Sequence, residues 1–238
     1  MKLYFSPGAC SLSPHIVLRE AGLAFTPMLA PTKTHKLQDG TDYYGINPLG
    51  YVPLLELDDG TRLREGPAIV QYIADQVPMK NLAPANGTLP RYRLQEWLTF
   101  IGTEVHKSFS PLFNPRMPEE GKQVYRERLL GRFKWIDGEL AGKDYLMGAN
   151  FSVADGYLYT VTRWAKPIND EHARYLAAEG IGSVIWATGF RRAWFSSPAV
   201  CSGRSPMRRR WCSAKASPAC LHCALPRDSS SPASIPSA

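Results

Sequence analysis

The chain has 238 residues, and its 44% hydrophobic content is enough for one large or two small packed domains. The formal net charge is +7, but residues 1–190 carry 20 basic and 20 acidic residues, whereas residues 191–238 carry eight basic residues and one acidic residue. The basic excess therefore lies at the end of the chain and does not indicate nucleic-acid binding by its body. No run of 18 apolar residues is present, so no membrane span is predicted.

Cysteine usage and the first residues predict a cellular compartment. Four of the five cysteines lie in residues 191–238, so the body contains only Cys10. The start of the chain lacks a basic segment followed by an apolar run, and no signal peptide is predicted. A body with one cysteine suits a reducing compartment, which predicts a cytoplasmic location.

The first predicted elements are a strand, Lys2–Phe5, and a helix over residues 11–21, joined by the turn Ser-Pro-Gly-Ala-Cys. Cys10 thus stands where the helix begins. A thiol at this position feels the positive end of the helix dipole and nearby backbone N–H groups. We therefore expect a lowered pKa and a raised thiolate fraction for Cys10. A small buried cysteine in a structural turn is the alternative.

The spacing after Cys10 argues against dithiol chemistry. Ser13 stands where a C-x-x-C pair would have its second thiol. A site with one cysteine cannot close its own disulfide, but it can form a mixed disulfide with an external thiol or hold a thiol substrate. The pattern favours a small thiol partner.

The rest of residues 1–77 predicts a small mixed sheet covered by helices. Residues 24–29 form a candidate strand, and residues 53–57 and 61–63 form a hairpin around an Asp-Gly turn. A helix follows over residues 65–73, with Pro67 in its first turn. The Pro- and Gly-rich residues 78–90 predict a linker.

Beyond the linker the periodicity is helical. Apolar stripes predict helices over residues 91–109 and 118–140, and a third helix opens at Ser152 and runs to residue 166. Ser152 and Asp155 have the spacing of a capping box, which we interpret as structural. We expect a core position for three tryptophans: Trp97, Trp135 and Trp164.

One face of the first of these helices is polar. The residues Thr99, Thr103, His106 and Lys107 recur at helical spacing and therefore share a side. A polar stripe is usually a solvated face. Without other information this alternative is favoured over a role in a site.

Residues 191–238 contain 11 Ser and 6 Pro with little apolar periodicity, a composition typical of disorder. Within them, Cys220-Leu221-His222-Cys223 is half of a zinc knuckle, and Arg208–Arg210 is a short basic run. The other two cysteines are irregularly spaced, so no zinc site is predicted.

Three separated segments carry a family resemblance. They are Ser6–Ser11, the stretch Asn-Pro-Leu-Gly-Tyr-Val-Pro at residues 47–53, and Glu-Gly-Pro-Ala-Ile at residues 65–69. Together they resemble cytosolic glutathione transferases of the bacterial beta class, and the match extends over residues 1–166. The resemblance implies a thioredoxin-like α/β N-terminal domain at residues 1–77, an all-α domain at residues 91–190, and a homodimer. Family chains continue with further helices where this chain has its basic tail, and we interpret the tail as the product of a reading-frame change.

The resemblance also implies site residues. Cys10 would lie beside the sulfur of glutathione, and Ser11 would be its hydroxyl neighbour. A cis peptide bond at Val52-Pro53 would let the Val52 backbone pair with the cysteinyl part. The remaining implied glutathione contacts are Glu65 and Gly66 for the γ-glutamyl group, His35 at the position of a family lysine, Thr99 and Thr103, and the pair His106 and Lys107.

We therefore expect a glutathione transferase that directs the glutathione thiolate at a small hydrophobic electrophile, with Cys10, Ser11 and His106 as candidates for catalysis. Glutathione is a co-substrate in this interpretation, and no cofactor, metal, nucleic acid or membrane is expected. Two alternatives stay open: a glutaredoxin-like thiol–disulfide oxidoreductase that uses Cys10, and a non-catalytic protein that binds glutathione or hydrophobic ligands.

Overall fold

The computed structural model describes residues 1–165. A four-stranded mixed sheet lies in the N-terminal half, with the strand order β2-β1-β3-β4. The strands are β1 (Lys2–Phe5), β2 (Thr26–Leu29), β3 (Leu54–Glu56) and β4 (Arg62–Arg64). β1 pairs with β2 in parallel and with β3 antiparallel, so the predicted mixed sheet is confirmed.

Local sequence signals explain this sheet. β3 and β4 form the predicted hairpin, with Leu55 opposite Leu63 and the Asp-Gly turn at Gly60 in a left-handed conformation. The connection from β1 to the parallel strand β2 needs a crossover, which helix α1 (Leu12–Ala21) supplies. Gly22 ends α1 with a φ of 71°, a conformation that favours glycine.

A continuous apolar core joins the sheet to the helices. Helix α2 (Gly66–Asp75) packs against α1, and both contact α6 (Val153–Thr162) of the helical half. The fully buried side chains Leu3, Val17 and Ile69 belong to the same cluster as Leu158 of α6. Because the two halves share one core, residues from both can line a common cavity.

The first helix of the helical half differs from the prediction. Instead of one α-helix over residues 91–109, the chain forms α3 (Leu89–Phe100), a π-helical segment (Ile101–His106) and α4 (Lys107–Phe113). The hydroxyl of Thr103 donates to the Thr99 carbonyl at 3.0 Å, and that of Ser108 donates to the Glu104 carbonyl at 2.7 Å. Side-chain hydroxyls that bond backbone carbonyls one turn back compete with regular helix formation.

Helix α5 (Glu119–Leu140) has the predicted extent, but part of its predicted apolar stripe is on the surface. Val124 is 62% exposed, whereas Leu129, Phe133 and Ile136 are buried. The core prediction for the tryptophans is wrong for Trp135, which is 47% exposed and contacts Phe100 with ring centroids 4.6 Å apart. Trp97 and Trp164 are half-buried. A periodic pattern identifies the apolar face of a helix but not which parts of that face other elements cover. This explains the error.

The capping motif before α6 is present. The Asp155 carboxylate accepts hydrogen bonds from the Ser152 N–H at 2.8 Å, the Ser152 hydroxyl at 2.7 Å and the Leu146 N–H at 2.8 Å. Burial raises the pKa of Asp155 to about 6, so the carboxyl is ionised at neutral pH. Asp155 thereby fixes both the start of α6 and the loop before it.

The predicted linker over residues 78–90 contains one 3-10 turn, Pro78–Lys80, and ends where α3 begins at Leu89.

None of the helices in residues 1–165 combines the length and apolarity that a membrane span requires. The predictions for the end of the helical domain, for the tail at residues 191–238 and for its cysteines lie outside the described residues.

Candidate active site

A cavity of about 880 Å³ opens between the N-terminal half and the helical half. Its N-terminal wall comes from the turn after β1, the loop before β3 and the start of α2. Its helical wall comes from α3, the π-helical segment, α4 and α6. The lining residues are Gly8, Ala9, Cys10, Thr32, Asn47, Leu49, Tyr51, Val52, Pro53, Arg64, Glu65, Gly66, Pro67, Leu98, Thr99, Gly102, Thr103, His106, Lys107, Ser110, Phe113, Tyr157 and Trp164.

Cys10 lies just before the start of α1, as predicted, but the predicted direction of its pKa shift is wrong. Its thiol donates to the Val52 carbonyl at 3.2 Å, and burial raises the pKa of Cys10 to about 11. Backbone N–H groups and the Lys107 charge act in the opposite direction but are outweighed. Two N–H groups near the helix start are already used, since Leu12 and Ser13 donate to the Ala9 and Cys10 carbonyls. The dipole effect is therefore smaller than the cost of desolvating a thiolate.

Ser11 does not line the cavity. Its side chain is fully buried, accepts from the Ser6 N–H at 3.1 Å and donates to the Ser6 carbonyl at 3.2 Å. Both hydrogen bonds close the turn that carries Cys10. This geometry gives Ser11 a structural role and leaves its hydroxyl without a path to a bound substrate.

The loop before β3 is held by hydrogen bonds to one carbonyl. The Tyr51 carbonyl accepts from the Asn47 amide at 2.7 Å and from the Tyr43 hydroxyl at 2.9 Å. The next peptide bond, Val52-Pro53, is cis, which confirms the prediction. Both Val52 and Pro53 line the cavity beside Cys10.

Glu65 and Gly66 form the start of α2. Glu65 is exposed at the cavity edge with a φ of 65°, and its carbonyl accepts from Ala68 and Ile69. Pro67 has no N–H to offer, so the Gly66 N–H is the donor that remains for an anion at this helix start. The pair therefore presents one carboxylate and one backbone donor to the cavity.

The polar stripe of the helical half borders the cavity. Thr99, Thr103, His106 and Lys107 all line it, and all of them except His106 are exposed, while their contacts with glutathione stay predictions. Burial and the neighbouring Lys107 charge lower the pKa of His106 to about 4, so its imidazole is neutral at neutral pH. The His106 Nδ1 lies 2.6 Å from the Tyr157 hydroxyl oxygen.

An ion-pair network lies next to this stripe. Glu104, within the π-helical segment, binds Arg128 and Arg132 of α5 at 3.0 Å and 2.8 Å. The two arginines hold the pKa of Glu104 below its usual range. The network ties the segment that carries His106 to α5.

His35 is not among the cavity-lining residues. Its ring packs on Tyr44 with centroids 4.5 Å apart, and its backbone has a φ of 52°. Thr32, three residues earlier, lines the cavity instead. The expected contact between His35 and a glutathione carboxylate has no support in this geometry.

Four aromatic residues that line the cavity were not predicted as site residues: Tyr51, Phe113, Tyr157 and Trp164. Trp164 donates from its indole nitrogen to the Gly8 carbonyl at 2.7 Å and contacts Phe113, which is 52% exposed in the cavity. Trp164 is a predicted core residue and Tyr157 lies in the predicted helix that starts at Ser152, whereas Phe113 lies beyond the predicted end of the helix over residues 91–109. No sequence signal separates a cavity-lining aromatic residue from a core one.

Comparison with known proteins assigns both halves of the chain to one protein family. Residues 8–76 match the family model of the glutathione S-transferase N-terminal domain, and residues 100–171 match that of the C-terminal domain. The glutathione S-transferase GstA of Escherichia coli O157:H7 is 45% identical over 180 residues, which cover 75% of this chain and 90% of that protein.

Two solved structures agree with this result. A sphingomonad glutathione S-transferase complexed with glutathione is 44% identical, with a TM-score of 0.71 over 80% of this chain and 100% of that chain. A bacterial beta class glutathione S-transferase from Sphingomonas chungbukensis is 42% identical, with a TM-score of 0.67 over 79% of this chain and 99% of that chain. With a thioredoxin-like sheet domain, a helical domain and these matches over most of its length, this chain belongs to the glutathione S-transferase family.

Proposed function

We propose that the 880 Å³ cavity binds glutathione and that the enzyme transfers its thiolate to a small hydrophobic electrophile. One observation carries this proposal. Cys10, Val52, Glu65 and Gly66 of the N-terminal half share a single cavity with His106 and Lys107 of the helical half. Glutathione transfer is also the activity of the family to which the chain belongs.

The N-terminal wall offers groups for both ends of the γ-glutamyl unit. The Glu65 carboxylate would accept from the glutathione ammonium, and the Gly66 N–H would donate to its carboxylate. The Val52 carbonyl already accepts from Cys10, so the Val52 N–H is the backbone group proposed to pair with the cysteinyl part. In this proposal the glutathione sulfur lies beside Cys10.

The chemistry needs a thiolate at that position. The glutathione S–H bond loses its proton to solvent, the sulfur forms a bond to an electrophilic carbon, and the leaving group departs with its electron pair. The Lys107 ammonium and backbone N–H groups near Cys10 would stabilise the negative sulfur. Binding both reactants in one cavity would accelerate the reaction further. Phe113 and Trp164 give the electrophile an apolar, aromatic wall.

The high pKa of Cys10 favours transfer over disulfide exchange. A thiol with a pKa of about 11 is a poor nucleophile at neutral pH. In the proposed mechanism Cys10 is a neutral neighbour of the substrate sulfur. The homodimer stays a prediction from the family resemblance, and the cytoplasmic location stays a prediction from the cysteine usage.

Conjugation of an activated aryl halide tests this function. We expect turnover that saturates with glutathione, and we expect Cys10→Ala to keep at least about a tenth of it, because a neutral neighbour contributes little transition-state stabilisation. Glutathione-dependent reduction of a small disulfide is the parallel assay. Disulfide reduction that Cys10→Ala abolishes would identify the oxidoreductase alternative, and glutathione binding without any turnover would identify a carrier.

The variant Glu65→Gln tests the glutathione-binding wall. Losing a charge-assisted hydrogen bond to the ammonium should cost about 1.5–3 kcal/mol of binding, which raises KM for glutathione about 10- to 150-fold. The KM for the aryl halide should change little. Arg64→Gln, one residue earlier on the same cavity wall, is the control for altered local charge. An unchanged KM for glutathione would mean that Glu65 only starts the helix.

A further inference from the structure

The His106–Tyr157 pair joins two elements across the cavity wall. His106 ends the π-helical segment, and Tyr157 lies in α6. Their rings are nearly perpendicular, at 77° with centroids 5.8 Å apart, and Nδ1 lies 2.6 Å from the hydroxyl oxygen. Such a short separation is a strong hydrogen bond, so one of the two groups donates a hydrogen to the other.

Only two arrangements of the hydrogens are compatible with this contact. Burial raises the pKa of Tyr157 and lowers that of His106, so the phenol and the imidazole are both neutral. Either Tyr157 donates to Nδ1 and the imidazole hydrogen is on Nε2, or the imidazole hydrogen is on Nδ1 and points at the phenol oxygen. In the second case the phenol hydrogen needs another acceptor.

The surroundings of Tyr157 favour the first arrangement. Tyr157 lines the cavity but is only 4% exposed, and within residues 1–165 its hydroxyl has His106 as its hydrogen-bond partner and no other. A buried hydroxyl that receives a hydrogen bond and has no acceptor for its own hydrogen is disfavoured. Donation from Tyr157 to Nδ1 satisfies both groups.

The other ring nitrogen, Nε2, belongs to a side chain that lines the cavity. Within residues 1–165 the His106 ring makes one hydrogen bond, through Nδ1, so Nε2 has no protein partner there. The Trp164 ring packs on the imidazole at 71° with centroids 5.0 Å apart, which restrains rotation of the ring. A hydrogen on Nε2 is therefore presented to whatever occupies the cavity.

We propose that Tyr157 is a positioning residue that, by donating to Nδ1, keeps the His106 hydrogen on Nε2, where it can donate to the substrate sulfur. The inference rests on the proposed function for the identity of that sulfur. It makes His106 a hydrogen-bond donor at neutral pH, not a base for the glutathione proton. In the family resemblance His106 is a site residue, and Tyr157 has no assigned role.

Nitrogen NMR of the histidine rings in the full chain tests the tautomer directly. In the wild type we expect His106 to show one tautomer at neutral pH, with hydrogen on Nε2 and none on Nδ1. Tyr157→Phe keeps the ring but removes the donor, so both tautomers should become populated. Tyr145→Phe removes a hydroxyl from a loop outside the cavity and should leave the His106 signals unchanged. The His106→Asn spectrum identifies the signals among the five histidines.

A second measurement follows the substrate sulfur. Thiolate absorbance of enzyme-bound glutathione should show that Tyr157→Phe raises the pKa of the bound thiol by about one unit, a tenfold loss of thiolate below that pKa. The KM for glutathione should stay within about twofold while kcat falls. A purely structural role for Tyr157 would lower the melting temperature without changing the tautomer.

Two NMR results would overturn the inference: a wild-type hydrogen on Nδ1, or an unchanged tautomer in Tyr157→Phe. The tautomer is read without turnover, so the outcome is independent of the transferase assay. A wild-type protein with the expected tautomer but no conjugation would contradict the proposed function alone.

Discussion

Replacing Asp155 with alanine is expected to destabilise the protein by about 3–5 kcal/mol, since several buried partners lose their acceptor together. The carboxylate accepts from two backbone N–H groups, at Ser152 and Leu146, and from the Ser152 hydroxyl. Asp155 and Ser152 are both buried, so water does not replace the lost acceptor at low cost. This loss is a large share of a typical free energy of unfolding of about 5–15 kcal/mol. Urea unfolding at fixed protein concentration measures it.

Two further variants separate the carboxylate from the motif as a whole. Ser152→Ala removes one donor and leaves both N–H bonds, so it should cost only about 1 kcal/mol. Asp155→Asn keeps one acceptor oxygen but turns an NH₂ group toward either the Ser152 or the Leu146 donor, and it should recover little. If Asp155→Ala unfolded within about 1 kcal/mol of the wild type, the carboxylate would not be what fixes α6.

Elements specified by short-range chemistry could be predicted from sequence. The Asp-Gly turn fixed the β3–β4 hairpin, Pro67 marked the first turn of α2, and the Ser152–Asp155 spacing marked the start of α6. Each of these signals acts between residues that are near neighbours in the chain. Their outcome depends little on the rest of the fold.

Features that depend on distant residues were not predictable in this way. The pattern around Cys10 indicates a helix start, but it does not specify the burial that raises the pKa of the thiol. The exposure of Val124 and Trp135 depends on what lies over α5, which periodicity does not specify. Nothing in the sequence around Tyr157 indicates that its hydroxyl lies beside His106, which is 51 residues away in the chain.

The π-helical segment was only partly predictable from the local sequence. The apolar stripe over residues 91–109 predicts a continuous α-helix, and a single glycine inside it, Gly102, is not enough to predict a break. Thr103 and Ser108 each bond a backbone carbonyl four residues back, which is a local cause, but many such residues occur in regular helices. The family resemblance placed His106 and Lys107 in the site although the helix type was wrong.

Cys10 in the folded protein is expected to react with iodoacetamide at least about tenfold more slowly at pH 7 than the same cysteine in the chain unfolded by urea. Burial raises the pKa of the folded thiol from an ordinary value of 9.0 to about 11, which lowers its thiolate fraction about 100-fold at pH 7. A thiolate of higher pKa is the stronger nucleophile, and this offsets part of the loss. The folded rate should rise about tenfold for each pH unit up to about pH 11. Mass spectrometry of the peptide that contains Cys10 measures both rates.

A matched pair of charge variants tests the cause of this slow reaction. The Glu65 charge raises the pKa of Cys10 and the Lys107 charge lowers it, so Glu65→Gln should speed alkylation of the folded protein and Lys107→Gln should slow it. Both charges act weakly beside burial, which is the largest contribution, so neither variant should approach the unfolded rate. Alkylation of folded Cys10 at the unfolded rate would instead mean that the start of α1 outweighs desolvation. Cys10 would then be a competent nucleophile at neutral pH, and disulfide exchange would become the better account of the site.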